Sequence, residues 1–468
     1  MGAKGFFRRP DVAIALVLLA AAPVLLTGWV HGDGIGYVAL LRSAVVDHDL
    51  DLRDEFAHLS THMLADAEGL PARLMRRGGG TTGVDPTYQT PAPDPVTGRL
   101  PAYYSVGPAI AWAPGYMAVH AVTRATGGVR GSGPDAGYGG AYYVAIALGS
   151  LAFGLAGVLF AYRLARVVAP EHEAFWAAIA FVWAAPLVYY LYLSPDYSHA
   201  LTVFTSGAFF LAWWRSRHAD RPGAWFAWGA LAGVMFLARW NDLVLAVPVL
   251  TVEGVGLLRR QRARGWGAAL ERLLACKLAA AAGLLLFASP QLAVWQVFHG
   301  RPWVRYPEHY LGLPLHGLVG TLFSTRHGLF AWTPVALLAV AGLVVLVRRQ
   351  RELALVALAS LALLVVANCS ARDWWGGASF GMRRLVSGTP LFVLGLAALL
   401  AELRGAGGRG RAWLAPLVVL AFTAWNILLL GQYALGMIPH GDAVPLATLL
   451  RNQPLVIVRV THLLAGSR

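Results

Sequence analysis

The feature that most constrains this chain is a succession of apolar runs, each close to the length needed to cross a bilayer. A hydrocarbon core about 30 Å thick takes roughly 20 apolar residues as a helix. Inside it only helices or closed barrels satisfy their own backbone polar groups. Runs of helical length occur at Val12–Val30, Ala141–Val167, Phe175–Leu193, Ala200–Trp214, Ala224–Leu237, Leu243–Leu258, Leu273–Val294, Leu329–Val347, Leu353–Ala367, Leu385–Ala401 and Ala412–Leu430. The expected fold class is therefore an all-α polytopic membrane protein with about eleven transmembrane helices. Residues 1–432 would form one transmembrane domain, with 433–468 as a short outer tail. The first run is too long for a signal-peptide core and has no small-residue cleavage site, so it reads as a retained helix.

A further apolar stretch, Ala102–Val122, carries Pro101, Pro108 and Pro114 at or inside its limits, poor material for a straight span. Charge decides its placement. Basic clusters lie at Arg8/Arg9, Arg163/Arg166, Arg215/Arg217/Arg221, Arg259–Arg272, Arg348/Arg349/Arg351 and Arg404–Arg411. All of them fall on one side only if Ala102–Val122 does not cross. The chain then starts inside and ends outside. The formal charge of +14 marks cytoplasmic loops and anionic headgroups rather than nucleic acid. Only 13% of residues are charged, against about 25% in soluble proteins. Two distant cysteines, Cys276 and Cys369, indicate neither a disulfide framework nor a metal cluster.

This topology gathers most polar, acidic and aromatic side chains outside the basic clusters onto one outer face. The long outer loop 31–140 opens with HGDGIGYVALLRSAVVDHDLDLRDE. Ile35, Val38, Leu41 and Val45 repeat at helical spacing and predict an amphipathic helix on the membrane surface, with Asp33 just before its first turn. A second helix is expected over Leu52–Ala67 and a Gly/Pro-rich mobile loop over Arg76–Gly98. Asp33 admits two compatible readings, an N-cap and a carboxylate placed to accept a proton. The acids from Asp47 to Glu55 read as solvated loop charge.

Further polar groups enter at the turns. Asp196 and His199 lie in Ser194–His199, which reads equally as an ordinary capped turn. Arg239 stands on the outer face against the positive-inside trend. It suits a phosphate, which a guanidinium clamps bidentately, or else a local ion pair with Asp242. Arg326 with His327, and Asp373 with Trp374, open later spans; Trp374 and Trp375 fit either interfacial anchors or a platform for a sugar ring. Arg383 and Arg384 add positive charge on the same face. Glu308 with His299 and His309 match no recognised metal spacing, so metal ligands are unassigned and a divalent metal is left open.

In order and spacing these motifs resemble the GT-C superfamily of membrane glycosyltransferases, nearest the protein O-mannosyltransferase and lipid A aminoarabinose transferase branches. Gly32-Asp33-Gly34-Ile35-Gly36-Tyr37 is similar to that family's Asp-Glu-x-x-Tyr motif, with Gly34 in place of Glu. Arg99-Leu100-Pro101-Ala102-Tyr103-Tyr104 resembles its Lys-Pro piece, with the basic residue displaced. Ser194-Pro195-Asp196 resembles its Leu-Asp-Pro turn, with Pro and Asp exchanged, and Gly233–Arg239 its Gly-Leu-Ala…Thr-Lys-Gly turn, with Arg239 standing at the Lys.

The resemblance implies a GT-C-like fold and an inverting transfer of sugar from a polyprenyl-phosphate donor to a hydroxyl of a glycan, lipid or protein acceptor at the outer face. Asp33 would be the catalytic base. Arg239, helped by Arg326 or Arg383, would hold the phosphate. Asp196, His199, Asp242, His327 and Asp373 would line the cavity, and Tyr37 and Trp374 would contact the sugar. Two other readings stay open: a transporter or flippase, which needs charges at membrane depth, and an inactive GT-C-like binding subunit, to which Gly34 points.

Overall fold

The computed structural model describes residues 9–62, 69, 71, 92–128, 131, 133, 135–304, 315–407 and 412–465. Their regular elements are all helices, with no strand among the described residues. The Arg76–Gly98 loop is described only from residue 92, and Glu308 and His309 lie outside the described residues.

The helices in chain order are α1 Pro10–Leu25, α2 Asp33–Arg42, α3 Arg53–His62, α4 Gly107–Ala125, α5 Gly140–Ala165, α6 Glu171–Trp183, α7 His199–Ser216, α8 Pro222–Ala238, α9 Val247–Gln261, α10 Trp266–His299, α11 Leu318–Phe323, α12 Leu329–Trp332, α13 Val335–Leu346, α14 Arg351–Cys369, α15 Thr389–Gly407, α16 Leu414–Ala434 and α17 Leu446–Ala465. Tight 3₁₀ turns lead into α9 (Trp240–Ala246) and α15 (Arg383–Gly388). Counting those turns, six helical stretches among the described residues are long and apolar enough to span a membrane: Gly140–Ala165, Trp240–Arg264, Trp266–His299, Arg351–Cys369, Arg383–Gly405 and Leu414–Ala434. Shorter apolar helices are α1, α8 and α13. The run expected over Phe175–Leu193 is split. Helix α6 ends at Trp183, and a π-helical turn over Tyr189–Leu193 follows Pro186.

The main helices pack through small residues. Between two apolar helices in lipid, close backbone approach gives the dispersion contact that burial alone does not. A Cβ at Gly229 on α8 would strike the Ala280 carbonyl of α10, and one at Gly342 on α13 would strike the Gly395 carbonyl of α15.

A second, smaller core sits beside this bundle. Helix α2 is buried along nearly its whole length, from Gly34 to Arg42. Its Ile35, Val38 and Leu41 pack with Phe56 and Leu59 of α3, Trp112 and Tyr116 of α4, and Tyr142 of α5. The amphipathic surface helix expected from the sequence is therefore covered. Its apolar positions face other parts of the loop and α4, and burying each large side chain there contributes about 1.5–3 kcal/mol.

The acidic stretch after α2 is corrected too. Glu55 is fully buried, and Arg42 Nη1 donates to its Oε1 at 2.8 Å and also to Asp47. Arg42 Nε donates to the Ala136 carbonyl at 2.8 Å, and the guanidinium lies 4.2 Å from the centre of the Tyr138 ring. Burial, followed by the hydrogen bond shared with Asp47, pushes the Glu55 carboxyl up to about 8. Asp49 is tied down as well, accepting Ser43 Oγ–H and Asp51 N–H, each at 2.9 Å. Arg99, matched by resemblance to a basic motif residue, holds the loop by donating to the Leu50 carbonyl at 2.6 Å.

Candidate functional site

The chain leaving α1 is fixed to the turn after the π-helical segment. Thr27 N–H and Oγ1 donate to the Tyr192 and Leu193 carbonyls, each at 2.8 Å. His31 N–H donates to Asp196 Oδ2 at 2.7 Å, and Ser194 Oγ lies 2.9 Å from His31 Nε2. Trp29 stacks on the His31 ring with centroids 3.7 Å apart. Gly32 then takes a left-handed φ of +52°, and a side chain there would run into the Tyr197 hydroxyl. This forced turn starts α2 at Asp33.

Asp33 opens onto a cavity of about 370 Å³, within the range of small-molecule sites. Its charged lining comprises Asp33, Asp373, Arg239, Arg383 and Arg384, with Tyr37, Tyr103, Tyr104 and Trp240 as the aromatic part and His199 beside them. Arg383 Nη1 donates to Asp33 Oδ2 at 2.5 Å; the Asp33 side chain is 37% exposed and that of Arg383 13%. Arg384 Nη2 pairs with Asp373 Oδ2 at 2.5 Å and its Nη1 donates to the Asp373 carbonyl at 3.1 Å.

Arg239 sits where α8 ends in extended backbone. Its Nη1 is shielded from solvent and has no hydrogen-bond partner, as is true of Arg383 Nε and of both His199 ring nitrogens. Buried donors left unpaired are costly. What the cavity itself presents is positive charge on its wall, from Arg239, Arg383 and Arg384. Tyr37 donates to Ser198 Oγ at 3.2 Å. Burial, and then the charge of Asp33, push its phenol up to about 12, so it stays a donor at neutral pH.

Comparison with known proteins adds a likeness in shape. The chain resembles ArnT from Cupriavidus metallidurans. Two crystal structures of that protein, one in the apo state and one bound to undecaprenyl phosphate, match 99% of this chain and 78% of theirs at 14% identity, with TM-scores of 0.48 and 0.49. No protein-family model and no curated protein matches.

The sequence-predicted residues divide into two sets. Asp33, Tyr37, His199, Arg239, Asp373 and Arg383 line the one cavity; Asp196, Asp242, Arg326, His327 and Trp374 do not. Asp196 is fully buried behind it, and its carboxylate fills the space a side chain at Gly34 would need. The carboxylate at this point comes from the turn before α7. Asp242 is also buried and accepts Ser387 Oγ–H at 2.8 Å. It makes no ion pair with Arg239 among the described residues.

Arg326 is held by the C-terminal tail. Its Nε donates to the Gly441 carbonyl, its Nη2 lies 3.7 Å from Asp442, and it stacks 3.5 Å over Trp375. His327 is buried with Nδ1 3.0 Å from the Trp375 carbonyl, and burial lowers its pKa to about 4, which keeps it neutral. Trp374 packs against the backbone of Gly317 and Gly320 beside α11. The indole in the cavity wall is Trp240 instead. His299 ties loop segments together, with Nδ1 3.3 Å from Asp94 and Nε2 3.3 Å from the Ala102 carbonyl.

Tyr103, Tyr104, Ser105, Ser198, Trp240, Asn241 and Arg384 join the lining without having been chosen from the sequence as site residues. A signal for Tyr104 existed in Gly36, whose missing side chain leaves the place its ring occupies.

Proposed function

We propose that this protein is an inverting glycosyltransferase that moves a sugar from a polyprenyl-phosphate donor to a hydroxyl acceptor at the outer face of a bacterial cytoplasmic membrane. The observation that carries this reading is one cavity in which a carboxylate, Asp33, stands with two guanidinium groups, Arg239 and Arg383, beside aromatic side chains. Such a set fits an in-line displacement. Asp33 takes the proton of the acceptor hydroxyl as its oxygen bonds to the anomeric carbon. The bond from that carbon to the phosphate oxygen breaks, and the electron pair leaves on the lipid phosphate.

Arg239 and Arg383 stabilise the charge that grows on this leaving oxygen, a contribution that is largest where water is scarce. Tyr37, Tyr104 and Trp240 offer ring faces and a hydroxyl to the sugar. His199 lines the cavity beside them as a neutral imidazole, a candidate to orient the sugar. Asp196 and Asp242 act behind the cavity, the first by fixing the backbone on either side of Asp33.

The test is an assay of the purified full-length protein with a panel of polyprenyl-phosphate sugars, reading sugar transfer and released polyprenyl phosphate together. Stoichiometric appearance of both supports the reading. A complete panel without transfer or release overturns it.

A further inference from the structure

The base proposed for the reaction is not free in this structure. Asp33 Oδ2 is engaged by Arg383 Nη1 at 2.5 Å. Accepting a proton would cost that pair its attraction, since a neighbouring guanidinium favours the charged carboxylate. Arg239 lines the same cavity and makes no ion pair among the described residues. One anion with several oxygens, bound between the two arginines, would meet both guanidinium groups. It would also take the position that the Asp33 carboxylate now holds on Arg383.

The two cavity-lining carboxylates differ in how they are held. Asp373 meets Arg384 through its side chain and its own carbonyl, a two-point hold. Asp33 meets Arg383 through one oxygen alone, and like Asp373 it is the more exposed partner of its pair, 37% against 13%. Arg383 is set in place, with its guanidinium 5.3 Å from the centre of the buried Tyr197 ring. In an exchange of partners the arginine therefore stays and the carboxylate moves.

We propose that Asp33 occupies Arg383 as a stand-in for the donor's phosphate, and that arrival of the phosphate displaces it, so the base is released only once the donor is bound. This rests on the reading of the cavity as a polyprenyl-phosphate site, and it adds to that reading an order: donor first, proton acceptance second. It also makes Asp33 a competitor of the ligand, with a counterintuitive result. Removing the charge of the catalytic carboxylate improves donor-lipid binding while transfer is lost.

The experiment measures binding of undecaprenyl phosphate, and of the neutral polyprenol as control, to the full-length protein in lipid nanodiscs. Asp33→Asn is expected to bind the phosphate about 5- to 10-fold more tightly than the native protein, because the fraction of Arg383 free to bind is no longer limited by the pair. Arg383→Gln is expected to bind it more weakly, and adding Asp33→Asn to Arg383→Gln is expected to give no tightening. Asp33→Ser serves in the same way should the Asn variant fail to fold.

Unchanged or weaker binding in the Asp33 variants overturns the exchange while leaving the cavity's assignment standing. Equal tightening in the Arg383→Gln background also overturns it, since the effect is then one of general charge. A native protein that binds the polyprenol as well as its phosphate overturns both the exchange and the assignment.

Discussion

Two acids from one short stretch, Asp33 and Glu55, each meet an arginine, and they do opposite things with it. Glu55 is sealed under the outer loop with Arg42, Asp47 and the Tyr138 ring, its side chain 0% exposed. Asp33 meets Arg383 at the edge of a cavity and keeps over a third of its side chain open. A sealed pair can only hold two segments together, because no ligand reaches it and breaking it strands a charge in low dielectric. A pair at a cavity wall can change partners. The difference between scaffold and chemistry here is thus one of access, with the same functional groups on both sides.

The contrast is most sharply broken at its two ends. Asp33→Asn should cost about 10²–10⁴-fold in transfer while leaving the thermal midpoint close to native, as read by a turnover assay beside a melt in detergent. Arg42→Gln should do the reverse, costing about 1–3 kcal/mol of stability because the buried Glu55 carboxyl, the Ala136 carbonyl and Asp47 lose the donor they share. A shifted denaturation midpoint checks it. Native stability in that variant would make the Glu55 cluster as dispensable as surface charge.

The pH response sharpens the comparison further. Glu55 is raised in the folded protein to about 8 from an ordinary 4.5. Its contribution to stability is then fully present below about 4.5 and is lost as pH rises through about 8. Melts from acid to mildly alkaline pH should show that decline, and Glu55→Gln should flatten it. The smallest effect is expected at Arg326, which the tail engages on the surface. Arg326→Ala should cost about 1 kcal/mol or less and leave transfer intact. A large loss of transfer there would return Arg326 to the phosphate site.

The apolar runs made the helical bundle legible, because membrane length and hydrophobicity are properties of contiguous sequence. Positive charge on one side also brought Asp33, Arg239, Asp373 and Arg383 to a common face before any coordinates. What the sequence could not carry were partners. Nothing near Glu55 signals Arg42 as its cation, since a helix repeat and a loop charge look alike until α3 folds onto α2. Arg326 looked as available as Arg383, and only the return of the tail to Gly441 separates them. Gly34 read as a missing acid, yet the space is filled by Asp196 from another turn.

The link between Asp33 and Arg383 joins residues 350 positions apart. At a synthesis rate of about 5–20 residues per second, the aspartate emerges roughly 20–70 s before its arginine. During that interval the first helix and its loop must insert and wait, and the wall of the cavity opposite Asp33 does not yet exist. A chain cut short after α14 would carry Asp33 and Arg239 but lack the arginine that ties the cavity shut. Completion of the protein is then itself a checkpoint: an unfinished copy lacks the positively charged wall of its cavity.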